Sequence, residues 1–207
     1  MIILASGSPR RRELLRQAGY TFECLSADID ESVLPNESPI EYTLRVCRQK
    51  AEAVRALVPS NAVIVTADTS VVVGNTILGK PADPEDAIVM LRNLRGQTHQ
   101  VITAFSVLDV NTNTLKQDWV VTDVTMRDYS EQEIARYVAS GDPMDKAGGY
   151  AIQNADFAPV AMIQGCYANV VGLPVCRVAA LLSAMGYPPP QPLACSFPVQ
   201  CAFANES

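Results

Sequence analysis

Ile2, Ile3 and Leu4 form an apolar triplet, Ala5-Ser6-Gly7 makes a small-residue turn, and Ser8-Pro9 opens a helix. No other stretch of the chain restricts the fold as strongly. Serine is a favoured N-cap, and proline fits the first helical position, where its missing N–H is no loss. A buried strand that runs straight into a helix N-terminus is the opening unit of an α/β protein. The same corner can hold an anion. Free helix amides, the hydroxyls of Ser6 and Ser8, and the guanidinium groups of Arg10 and Arg11 can converge on one phosphate. A capped surface helix with solvated arginines is the competing reading of the same residues.

Strand and helix signals then alternate along most of the chain. Residues 10–18 read as a helix with Leu14, Leu15 and Ala18 on one face, stopped by Gly19. Residues 22–26 read as a strand, and 39–58 as a helix in which Leu44, Cys47, Ala51, Val54 and Val58 recur every three or four positions. Val63-Ile64-Val65 is a continuous apolar run, the mark of a strand covered on both faces. It is expected to end in a turn over residues 66–69 before extended structure resumes at Val71. Gly74-Asn75 predicts a two-residue hairpin turn, and Asp83-Pro84 with Glu85 and Asp86 predicts a capped helix ending at Gly96. Residues 100–108 and 115–126 predict a long hairpin, Ser130-x-x-Glu133 a capping box, and 142–153 a glycine-bearing loop running into a strand. Further strands are expected at 160–163 and 168–171, and a last amphipathic helix at 174–185. The whole reads as an α/β fold with a mixed sheet and two lobes flanking a groove, one domain over residues 1–186. A proline-rich tail over 187–207, with Phe197 and Phe203 as docking candidates, is expected to be mobile.

Charge and cysteine usage narrow the partners. With 22 acidic against 16 basic residues the net charge is -6, so a nucleic acid gains no counterion-release affinity and is not expected as a partner. No apolar run reaches the ~20 residues needed to span a bilayer, and no signal-peptide pattern precedes the first strand. No membrane association and a cytoplasmic location are therefore expected. Cys24, Cys47, Cys166, Cys176, Cys195 and Cys201 lack metal-type spacing with the single histidine, His99, and most of them read as reduced, core-filling thiols. His99, at a strand start, reads as structural. A homodimer is the expected oligomer.

Asp68 follows the buried run, at the sheet edge where α/β proteins collect catalytic groups. A carboxylate there can bind Mg²⁺, take a proton from water, or only cap the turn over Thr69 and Ser70. Asp28, Asp30 and Glu31 form a second acidic cluster, either a partner for a phosphate-bound cation or a solvated loop. Lys50, Lys80 and Lys146 stand at element ends or beside glycines and suit phosphate oxygens as point charges, although each alone also reads as a surface lysine. The chain has no GxxxxGK[ST] or GxGxxG run, and one histidine leaves no Ser-His-Asp or Cys-His set to argue for.

Taken in order, these segments resemble the Maf family of nucleoside triphosphate pyrophosphatases from about Ile3 to about Met185. The residues that carry the resemblance are Leu4-Ala5-Ser6-x-Ser8-Pro9-Arg10-Arg11, Asp30-Glu31, Lys50-Ala51, Ala67-Asp68-Thr69, Leu78-Gly79-Lys80-Pro81 and His99-x-Val101-x-Thr103. Pro143-x-Asp145-Lys146-Ala147-Gly148-x-Tyr150-x-Ile152-Gln153 and Val171-Gly172-Leu173-Pro174 complete it. The resemblance implies an elongated mixed sheet with a cleft similar to that of inosine triphosphate pyrophosphatases. It implies cleavage between the α- and β-phosphates with a divalent cation, Mg²⁺ or Mn²⁺. Asp68 would accept the proton of the attacking water and, with Glu31, hold the metal. Ser6, Arg11, Lys50 and Lys80 would bind phosphates, alongside Ser8. Arg10, Thr69 and Gln153 match the branch acting on dTTP and UTP, with modified pyrimidine nucleotides as housekeeping substrates. The alternatives are 7-methyl-GTP, a deaminated purine nucleotide, or a non-enzymatic regulator of cell division. Gly149 and Ala151, exchanged relative to the usual family run, and Arg95, where serine is common, are departures that bear on the base pocket.

Overall fold

The computed structural model describes residues 1–191 and 193 and is built on a seven-stranded mixed sheet. Strand β1 (Ile2–Leu4) lies parallel to β2 (Glu23–Cys24) on one side and to β3 (Val63–Val73) on the other. From β3 the sheet continues antiparallel through β5 (Thr98–Asp109) and β6 (Thr114–Met126) to the edge strand β7 (Val160–Gln164). The Gly74-Asn75 turn brings the chain back as β4 (Thr76–Leu78), paired with the last residues of β3. Strands β1 and β4 therefore share one edge of β3, at opposite ends.

Cap chemistry sets the helix starts. Ser8 caps α1 (Pro9–Gln17) by accepting from the Arg11 amide, and Asp83 caps α3 (Pro84–Leu94). Helices α2 (Pro39–Arg55) and α4 (Glu131–Ala139) open on complete capping boxes, Ser38 with Glu41 and Ser130 with Glu133. Each cap contributes ~1 kcal/mol.

Alternation along the strands then builds the cores. Ile2, Leu4, Val63 and Val65 pack with Leu14 and Leu15 of α1 and with Val178 and Leu182 of α6 (Val175–Ser183). Ile3 and Ile64 meet Ala51 and Val54 of α2 in a separate cluster. Further along the same strands, Val71, Val101 and Val124 join Leu91 and Leu94 of α3 and Ile134 of α4 in another core. At ~3.3 Å per residue, β3, β5 and β6 are long enough to run through both regions. Two lobes thus share one sheet. His99 lies in β5 at 2% exposure, edge-on to Tyr150, with Nε2 2.7 Å from the tyrosine hydroxyl.

Several local expectations are corrected. Residues 63–73 form one unbroken strand, so Asp68 stands in the middle of β3 and not beyond its end. The antiparallel ladder to β5 runs from Val63 to Val72 and overrides the polar interruption at residues 66–69. On the opposite edge β1 reaches only Val65 and β4 begins only at Val71, so residues 66–70 have no strand partner there. Residues 168–171 are helical, not extended, within α5 (Tyr167–Val171). The buried Asn169 directs its amide to the Val101 carbonyl at 3.0 Å and the Thr122 hydroxyl at 2.8 Å, docking the segment against the sheet through a side chain. The loop after Gly141 forms two short 3₁₀ turns, Asp142–Asp145 and Ala147–Gly149, and no strand follows at 150–153. The strand expected over 22–26 shortens to two residues at the sheet edge.

Beyond α6 the Tyr187 carbonyl accepts from the Tyr20 hydroxyl at 3.3 Å, and Pro190 lies against Gly19. Pro192, Cys195, Phe197, Pro198, Cys201 and Phe203 lie outside the described residues. Among the described residues no helix is long and apolar enough to cross a membrane.

Candidate active site

The gap on the free edge of β3 opens into a cavity of about 600 Å³. Successive strand residues point to opposite faces, so a site inside a sheet would recruit only every second side chain. At an unpartnered edge both sets can reach the same space. Asp68 and Thr69, neighbours on β3, both line the cavity. Ser6, Ser8, Arg10, Arg11, Glu31, Lys50, Lys80 and Gln153 line it as well, so every residue to which the resemblance assigns a role is brought to it. Asp28 lines it too; Asp30 does not, its carboxylate accepting instead from the Ser32 amide and hydroxyl at 2.9 and 2.6 Å.

Helix α2 brings one stripe, Thr43, Cys47 and Lys50, against β3. Thr43 bonds Ser70 at 2.8 Å, Cys47 lies 3.3 Å from Thr66 Oγ1, and Lys50 Nζ lies 2.6 Å from Asp68 Oδ1. The same ammonium reaches Glu31 Oε1 at 2.9 Å. Asp68 is buried, at 6% exposure. Desolvation largely offsets the attraction in such a pair, so its consequence is positional more than stabilising. Lys50 brings the two carboxylates together and aims Asp68.

The Arg11 guanidinium is held from three directions. Nε donates to the Gly172 carbonyl at 2.8 Å, Nη1 to Ser6 Oγ at 3.3 Å, and Nη2 to Thr69 Oγ1 at 3.0 Å. A guanidinium carries five N–H donors, so one on each terminal nitrogen remains for a ligand. Burial pulls the Arg11 pKa below its ordinary value, with the Asp68 charge opposing. Ser8 is committed as a helix cap, its hydroxyl 3.4 Å from the Arg11 amide.

At the mouth, Arg10 pairs with Asp145 at 3.5 Å. Asp145 also receives Lys146 at 2.5 Å, while Lys146 donates to the Asp142 carbonyl and, at 2.9 Å, to its carboxylate. Burial alone would raise the Asp145 pKa, but the hydrogen bond and charge of Lys146, with the Arg10 charge, together hold the carboxylate below its usual range. Lys80 has no ion-pair partner among the described residues. Five cations (Arg10, Arg11, Lys50, Lys80, Lys146) thus face four carboxylates (Asp28, Glu31, Asp68, Asp145) around the cavity, a local reversal of the chain's net charge of -6.

Sequence reasoning gave no site role to Thr103, Asn169 or Gly172. All three stand in or beside segments that carry the family resemblance, but Thr103 reaches Thr69 as its cross-strand partner on β5, the Asn169 carbonyl accepts from the Thr103 hydroxyl, and Gly172 reaches Arg11 from just past α5.

The model of the family described as Maf-like protein matches residues 1–185. This chain belongs to the Maf family. A dTTP/UTP pyrophosphatase of Anaeromyxobacter dehalogenans is 48% identical over 191 residues, 91% of this chain and 96% of that one. Proteins of the same name from Geobacter sulfurreducens and Escherichia coli O157:H7 are 46% and 47% identical, over 89% and 88% of this chain and 96% and 91% of theirs. These Maf relatives are covered almost end to end, so the likeness takes in both lobes and the cavity between them. Among solved structures, a nucleoside-triphosphatase / dITP/XTP pyrophosphatase from Mycobacterium abscessus aligns with 62% of this chain and 75% of its own, at a TM-score of 0.38 and 13% identity. That likeness is too distant to bear on function.

Proposed function

We propose that this Maf protein is a pyrophosphatase that hydrolyses dTTP and UTP to the nucleoside monophosphate and pyrophosphate. The observation that carries the reading is convergence: Arg11, Lys50 and Lys80, from separate parts of the chain, meet the buried Asp68 in one cavity. The names of the relatives support the substrates. Arg11 and Lys80 hold the phosphates, with the Ser6 hydroxyl beside them. Asp68 Oδ1 is engaged by Lys50, and Oδ2 takes the proton of a water attacking the α-phosphorus. As the new P–O bond forms, the bond from the α-phosphorus to the bridging oxygen breaks and pyrophosphate leaves with the electron pair. Arg10, Thr69 and Gln153 contact the nucleoside end. Phosphoryl chemistry of this kind depends on alignment and charge stabilisation more than on covalent catalysis.

A divalent cation, Mg²⁺ or Mn²⁺, fits these residues. The described residues hold no cluster of three or more His, Cys, Asp or Glu suited to a metal, but Lys50 brings Glu31 and Asp68 together. One or two carboxylates, with phosphate oxygens and water completing the shell, is the donor set Mg²⁺ prefers. When bound, such a cation would neutralise phosphate charge and orient the scissile group. Cys47 is a buried, reduced thiol, which suits a reducing cytoplasm as the proposed compartment.

The test is a panel of dTTP, UTP, CTP, ITP and 7-methyl-GTP hydrolysed in heavy-oxygen water, with products identified. The reading predicts fastest pyrophosphate release from dTTP and UTP, with the label in the monophosphate. A preference for 7-methyl-GTP or ITP contradicts the substrate, and labelled orthophosphate contradicts the scission point.

A further inference from the structure

Thr103 is fully buried on β5, outside the cavity lining, yet hydrogen-bond directions tie it to Arg11. Its Oγ1 lies 2.9 Å from the Asn169 carbonyl, which can only accept, so Thr103 spends its proton there. Thr69 Oγ1 lies 2.9 Å from Thr103 Oγ1, and with that proton committed Thr69 must be the donor. Arg11 Nη2, which can only donate, lies 3.0 Å from Thr69 Oγ1. Every bond in the series therefore has one direction, from Arg11 through Thr69 and Thr103 to Asn169. The end of the series is fixed, because the Asn169 side chain bonds Val101 and Thr122 on β5 and β6. Just past α5, the Gly172 carbonyl takes the Arg11 Nε proton directly. Gly172 has φ of +120°, a backbone conformation that glycine adopts without strain, and a Cβ there would make only ordinary contact with Thr69 Oγ1 at 3.4 Å and Arg11 Nε at 3.5 Å.

We propose that Thr103 is a positioning residue for the reaction, holding the Arg11 guanidinium through Thr69 so that its two remaining N–H donors face a polyphosphate. The inference rests on the reading of the cavity as a polyphosphate site. Chains of hydrogen bonds with one direction reinforce one another, and a group held in place loses less entropy when it binds. Thr103 touches no substrate, and its effect passes entirely through Thr69.

The test is calorimetric binding of inorganic tripolyphosphate, which has no base to contact Thr69, to the full chain and its variants. Arg11→Ala is expected to weaken binding at least tenfold, and Thr103→Val about fivefold, the equivalent of one neutral hydrogen bond. Thr103→Ser, which keeps the hydroxyl, should stay within about twofold of the parent. Adding Thr103→Val to Thr69→Val should weaken binding no further, since the series is already broken. A merely structural Thr103 would lower Tm without this rescue and without this coupling. If Arg11→Ala loses affinity while Thr103→Val and Thr69→Val both bind like the parent, the relay is wrong. If Thr103→Val does not fold, Thr69→Val carries the same test. If Arg11→Ala binds like the parent, the polyphosphate reading itself fails.

Discussion

Asp68 and Thr69 are adjacent on one strand and approach their partners from different elements, Lys50 on α2 and Arg11 on α1. Neither partner is near in sequence, so single residues of this site acquire their meaning only from the gap in the sheet. His99 belongs to the other lobe and contributes to stability. Burial pushes its pKa down to about 4 from 6.5, with Asp123 opposing. A basic group with a depressed folded pKa favours folding only while neutral. Its contribution is complete above pH 6.5 and is lost as pH falls toward 4. The loss is about 3 kcal/mol over that window. Urea unfolding of the parent and of His99→Gln at neutral pH and near the lower end of the window checks this. The parent should lose stability more steeply, and equal slopes would remove His99 as the cause.

Among the elements, most strands and helices are legible because local chemistry decides them: the periodicity of 39–58, the capping box at Ser130, Asp83-Pro84, and the Gly74-Asn75 turn. The misreadings have a common origin in tertiary contacts. The long ladder to β5 keeps residues 66–69 extended, and the buried amide of Asn169 docks helix α5 on the sheet in place of a further strand. Candidate site residues are legible partly from local chemistry, as with Ser6, Ser8, Arg10 and Arg11 at the strand-to-helix corner, and partly only through the family's motifs, as with Gln153, whereas the parts of Thr103, Asn169 and Gly172 rest on contacts between segments distant in sequence. The 3₁₀ loop gives a prediction of its own kind. Gly148 has φ of +70°, its amide bonds the Gly79 carbonyl at 2.9 Å, and a Cβ there would meet Val71 at 2.9 to 3.1 Å. Gly148→Ala should destabilise by ~2–3 kcal/mol in denaturant unfolding, through backbone strain and overpacking together. A loss under ~0.5 kcal/mol would mean the loop can move off β3 at little cost, and with it the Lys80 turn.

The whole molecule carries a net charge of -6 and must still attract a polyanion. The long strands solve this by holding two lobes apart on one sheet, so that cations from four separate segments surround a local space while carboxylates dominate elsewhere. Screening acts within ~8 Å at physiological salt, so the cavity's own charges, not the distant surface, set the attraction. Tripolyphosphate at about 100 times its Kd should therefore add ~2.7 kcal/mol of stability, read as a rise in Tm. That rise should shrink in high salt and be lost in an Arg11→Ala, Lys80→Ala double variant. A salt-independent rise retained in the double variant would place the anion elsewhere. The claim on which the rest turns is that one buried carboxylate at the sheet gap activates water while separate cations hold the phosphates. Its most direct measurement is kcat and KM for pyrophosphate release from UTP by Asp68→Asn. A fall in kcat of about 10²–10⁴ with KM nearly unchanged is the predicted result, and turnover within tenfold of the parent would contradict it.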